Sequence, residues 1–109
     1  MSKFRFSRWI LALGAASMFA AGPAFAAKSL KLAYALSVDS HYGAGAKAFE
    51  ESIKNYTDGA FTVEHFPNSA LGGEREVIEG LQLGTIDMAI VSTGATLNFV
   101  PSTGVFDIP

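Results

Sequence analysis

Four residues in this 109-residue chain offer groups that a small polar ligand can use: His41, Glu74, Ser92 and Thr93. His41 opens a helical segment just beyond an apolar run, where an imidazole serves either as a ligand contact or as an exposed, capping residue. Glu74 follows the Gly72-Gly73 pair and leads a segment that also carries Arg75, Glu76 and Glu79. Carboxylates at the start of a helix ordinarily serve its dipole, so Glu76 carries no further expectation. Glu74 differs because its position after the turn faces the strand ends. Ser92 and Thr93 close an apolar stretch and supply hydroxyls for hydrogen bonding to a polar ligand. They lack the G-x-S-x-G context of a hydrolase nucleophile. His65 falls inside an alternating strand and reads as a packed or surface residue, and it is too far from His41 for a zinc signature. Neither Gly43-x-Gly45 nor Gly72-Gly73 continues into a phosphate-binding pattern. The residues therefore define no catalytic set, no metal site and no cofactor. They suit binding.

The elements that must position these groups are legible from periodicity. Ser29 to Leu36 alternates and then turns wholly apolar, a first strand expected at the centre of a sheet. Asp39 and Ser40 offer caps for a helix from His41 to Tyr56, whose apolar stripe is Tyr42, Ala46, Phe49, Ile53 and Tyr56. Gly43 and Gly45 weaken that helix, which points to close backbone approach at those positions. Thr57-Asp58-Gly59 is a turn, and Ala60 to Phe66 alternates as a second strand. A turn at Pro67-Asn68-Ser69 leads to a short helix from Glu74, with Val77, Ile78 and Leu81 on one side and Gly84 as its C′ residue. Ile86 to Val91 reads as a strand covered on both faces. Beyond it, Ala95 to Phe99 is expected to form one helical turn stopped by Pro101, followed by a loop over 102–104 and a further apolar segment. The order β-α-β-α-β with short links predicts an α/β fold with a mostly parallel sheet. In such sheets ligands bind at the carboxyl ends of the strands, where His41, Glu74, Ser92 and Thr93 fall.

Composition narrows the partners. Residues 1–26 have the basic start, apolar centre and Ala24-Phe25-Ala26 exit of a secretory signal peptide, with an uncleaved anchor as the alternative. That apolar run is short for a membrane span, so the mature chain is expected not to span a membrane. All ten acidic residues lie after position 27, against five basic ones, which argues against nucleic acid as a partner. There is no cysteine, so an exported protein of this sequence relies on its core rather than on disulfides.

Four stretches carry a family resemblance: K-L-A-Y-A-L-S-V-D-S-H-Y-G-A-G-A-K-A-F (31–49), F-P-N-S-A-L-G-G-E-R-E (66–76), L-Q-L-G-T-I-D-M (81–88) and N-F-V-P (98–101). In this order and spacing the chain resembles the solute-binding proteins of tripartite ATP-independent periplasmic (TRAP) transporters, of the DctP type. The resemblance implies a type II-like periplasmic binding protein, with 27–109 as the amino-terminal, incomplete part of its first lobe. It implies a non-enzymatic receptor that binds an organic acid in the periplasm, such as a dicarboxylate or sugar acid. It further implies delivery of that acid to small and large ion-coupled membrane subunits. The arginine that typically holds the ligand carboxylate in such proteins would lie beyond residue 109, and Arg75 is not that arginine. His41, Glu74, Ser92 and Thr93 match cleft-lining positions; Tyr34 stands where histidine is frequent. A hydroxylated acid suits Glu74 and the two hydroxyls. The expectation is an opening fragment that binds solute weakly or not at all on its own. The alternatives are a fragment of an exported α/β enzyme and a small self-associating interaction domain.

Overall fold

A computed structural model describes residues 26–108. The signal-peptide expectation therefore lies almost wholly outside the described residues. The order is β1 (Lys28–Tyr34), α1 (His41–Tyr56), β2 (Phe61–Phe66), α2 (Glu74–Leu83), β3 (Met88–Ile90), α3 (Thr93–Thr96) and a 3-10 helix (Pro101–Asp107). All pairings are parallel, and the sheet order β2-β1-β3 puts β1 at the centre, as its apolar end requires. β1 pairs with β2 over six residues, Lys28↔Phe61 to Ala33↔Phe66, but with β3 over only three, Leu32↔Met88 to Tyr34↔Ile90.

Alternation along β1 decides which helix covers which face. Leu32 and Tyr34 pack with Val63 and Ala46 beneath α1, joined by Tyr42, Ile53, Met88 and Ile90. Ala33 points the other way, against Val77 and Ile86, joined by Leu81 of α2. The α1 crossover runs from β1 outward to β2, and the α2 crossover runs from β2 back past β1 to β3. Right-handed crossovers of opposite direction put their helices on opposite faces, giving three layers. Burying side chains such as Leu32, Val63 and Val77 contributes roughly 1.5–3 kcal/mol each.

Three local readings need correction. The stripe on α1 is core at Ala46 and half-buried at Ile53, whereas Phe49 and Tyr56 are exposed, Tyr56 by 90%. Phe49 overhangs the outer side of β3, where no described element covers it. β3 is likewise half-buried along its length rather than enclosed, because it is an outer strand. Finally, the turn expected over 95–99 begins earlier, with Ser92 at the N-cap of α3, and Pro101 starts the 3-10 helix instead of merely ending a turn. A proline at a first helical position has no N–H to leave unpaired, so it opens a helix as readily as it stops one.

Candidate functional site

Each strand exit is fixed by a different device. After β1, Ser40 caps α1: its Oγ accepts from the Gly43 N–H at 3.3 Å and donates to the Ser37 carbonyl at 2.6 Å. Gly43 is buried so tightly on this loop that a Cβ there would lie 2.0 Å from the Val38 carbonyl oxygen. Close approach thus explains Gly43. Gly45 faces open space and has no such requirement. His41, the first residue of α1, is exposed, and its ring meets Tyr42 edge-on at 4.8 Å.

The exit of β2 folds back on that of β1. The Asn68 N–H donates to the Leu36 carbonyl at 2.9 Å and the Ser69 N–H to the Tyr34 carbonyl at 3.2 Å. Asn68 and Ser69 both adopt φ of 56°, a left-handed conformation that asparagine tolerates better than serine. Gly72, at φ 110°, completes the turn into α2 where a side chain would be strained.

Glu74 then reaches across to the exit of β3. Its Oε1 accepts from the Ser92 N–H at 2.7 Å and its Oε2 from the Ser92 hydroxyl at 2.6 Å. One carboxylate therefore ties the start of α2 to the start of α3. The neighbouring Thr93 hydroxyl donates to Asp107 of the 3-10 helix, which folds that segment over α3. Of the four residues singled out from sequence, the structure brings Glu74 and Ser92 into direct contact and puts Thr93 next to them. His41 lies at the same edge of the sheet and forms no hydrogen bond to them.

Asp107 escaped the sequence reading. It sits 14 residues from Thr93, in a segment read as apolar, and no periodic pattern marks it. A second missed set joins three elements below the rim. The Tyr34 hydroxyl meets His65 Nδ1 at 3.2 Å, and His65 Nε2 meets Glu50 at 3.1 Å. Burial raises the Tyr34 pKa above its ordinary value. This set links β1, β2 and α1, so of the two roles its strand position allowed, packed or surface, His65 takes the packed one.

An apolar groove of about 630 Å³ runs along the outer side of β3, lined among others by Leu32, Phe49, Leu81 and Met88. It is separate from the polar rim, and its one charged lining residue is Asp87. That carboxylate accepts from the Lys31 N–H at 2.9 Å and closes the amino end of the β1–β3 ladder. Among the described residues, no group of histidine, cysteine or acidic side chains is arranged to hold a metal, and no helix is long and apolar enough to cross a membrane.

A parallel three-layer sheet whose polar groups gather at the strands' carboxyl ends is the arrangement of an α/β ligand-binding lobe. The chain belongs to the bacterial extracellular solute-binding protein family 7, DctP, matched over residues 32–109. A TRAP periplasmic solute-binding protein from Bordetella bronchispeptica, solved with density assigned as pantoate, is 73% identical, with a TM-score of 0.73 over 75% of this chain and 27% of that one. One from Polaromonas, bound to D-erythronate, is 50% identical, with a TM-score of 0.72 over the same shares. A Verminephrobacter eiseniae solute-binding protein is 37% identical over 79% of this chain and 26% of its own length. The chain thus spans about a quarter of the relatives it matches. The family is one of extracytoplasmic solute receptors with a type II-like fold, not of enzymes.

Proposed function

We propose that this chain supplies the opening part of one lobe of a TRAP solute receptor, which takes up a hydroxylated organic acid and delivers it to ion-coupled small and large membrane subunits. Export by a signal peptide over 1–26, leaving 27–109 as part of the binding domain, belongs to the same reading. The observation that carries it is the convergence of Glu74, Ser92 and Thr93 at the carboxyl end of the sheet, in a chain of this family. His41 completes the same edge from the start of α1. The loops that follow β1, β2 and β3 contain no lysine or arginine, so the charge of an acid is matched from elsewhere in such a receptor. Binding by the chain alone is accordingly weak, since the rim meets only one side of a ligand.

The ligand class follows from the relatives at 73% and 50% identity, one with density assigned as pantoate and one bound to D-erythronate. Both are short monocarboxylic acids with hydroxyl groups. The test is calorimetry on a chimera in which residues 28–108 replace the matching part of the Bordetella protein. The expected result is micromolar binding of D-erythronate or pantoate, about −8 kcal/mol. Loss of binding by a folded chimera, with the intact Bordetella protein binding normally, would contradict the proposal.

A further inference from the structure

We infer that the side chains of the rim beside β3 accept hydrogen bonds and do not donate them, so the ligand end facing them carries hydroxyl groups and not a second carboxylate. This rests on the receptor reading above and adds the orientation and selectivity of the site.

A serine or threonine hydroxyl has one proton to donate and two lone pairs that accept. The Ser92 proton is directed to Glu74 Oε2 at 2.6 Å, and the Ser92 N–H is directed to Glu74 Oε1 at 2.7 Å. The Thr93 proton is directed to Asp107. What these side chains leave for a ligand are lone pairs: on Ser92 Oγ, on Thr93 Oγ1, and on the two carboxylates. Such a surface is complementary to ligand O–H groups. A ligand carboxylate brought there meets lone pairs and two like charges, with no lysine or arginine in the strand-exit loops to offset them. The acid group of a bound monocarboxylate therefore points away from this rim, and its hydroxyl-bearing end points toward it. Glu74 is here a positioning residue, because it sets the direction in which the Ser92 hydroxyl points.

Two acids that differ at a single carbon test this. D-erythronate carries CH₂OH at C4, and meso-tartrate carries a carboxylate there. In the folded chimera, meso-tartrate is expected to bind at least about tenfold more weakly than D-erythronate. Glu74→Gln sharpens the test. The amide oxygen still accepts the Ser92 N–H, but the amide NH₂ now donates to Ser92 Oγ and frees the hydroxyl proton for the ligand. The ratio between the two acids is then expected to fall to about threefold or less. A purely structural Glu74 would instead weaken both acids equally and leave the ratio unchanged. If Glu74→Gln loses its cooperative melt, Ser92→Ala carries the test, lowering D-erythronate affinity about three- to tenfold and leaving meso-tartrate nearly unaffected. Equal or tighter binding of meso-tartrate by the unsubstituted chimera overturns this inference and leaves the receptor reading standing. Binding of neither these acids nor pantoate, with the intact Bordetella protein binding pantoate, overturns the receptor reading itself.

Discussion

The two sides of β1 are held in different ways. On the β2 side, six paired residues, the Gly43–Val38 contact and the set of Tyr34, His65 and Glu50 all reinforce one another. On the β3 side the ladder is three residues long, and side chains do much of the joining: Asp87 to the Lys31 N–H, Glu74 to Ser92, and Asp107 to Thr93. The first side is a scaffold fixed by backbone and packing. The second is a rim whose geometry depends on a few exposed or half-exposed carboxylates. Substitutions should therefore unfold the protein from the first side and loosen the site from the second.

The largest expected effect tests the scaffold. Gly43→Ala forces a Cβ to 2.0 Å from a backbone carbonyl that cannot swing aside, and should destabilise the chain by about 3 kcal/mol in a denaturant titration. Glu74→Ala comes next, at about 1–2 kcal/mol, since it removes two charge-assisted bonds at a partly solvated position. Its distinctive mark is faster amide exchange at Ser92 with little change in β1 or β2. A loss spread evenly over the sheet would erase the contrast between the two sides.

Tyr34→Phe removes the bond to His65 and should cost about 1 kcal/mol near neutral pH. The pH dependence has a definite sign. Burial raises the Tyr34 pKa above 10.0, so folding favours the neutral phenol. That contribution is intact below pH 10.0 and is lost as pH rises through the raised folded value. Melts across the alkaline range should show a decline that Tyr34→Phe reduces. A smaller effect of opposite sign is expected from Gly45→Ala, which meets nothing within 4 Å and should gain about 0.5–1 kcal/mol from helix propensity. Arg75→Ala should change stability least, by less than about 0.5 kcal/mol, because its pair with Glu79 is exposed.

The scaffold was largely legible in the sequence, and the rim only in part. Period-two and helical spacing located β1, α1, β2 and α2, and Gly84 ends α2 in the left-handed conformation that its position suggested. These are local signals, fixed by neighbours within a turn or two. Phe49 and Tyr56 show where local pattern stops: their spacing matches a core-facing stripe, but burial depends on what lies opposite. The same holds at the rim. Glu74 and Ser92 were each recognisable from their place after a turn or strand, yet their contact spans 18 residues and two changes of direction. Asp107 lay in an irregular segment with no period to mark it, so only the folded chain shows that it takes the Thr93 proton.

The measurement that bears most directly on this account is a crystal structure of the chimera with D-erythronate. A ligand hydroxyl is expected within about 2.5–3.2 Å of Ser92 Oγ or Glu74, with the ligand carboxylate on the far side. A carboxylate seated against Ser92, or a ligand in the apolar groove beside β3, would contradict it.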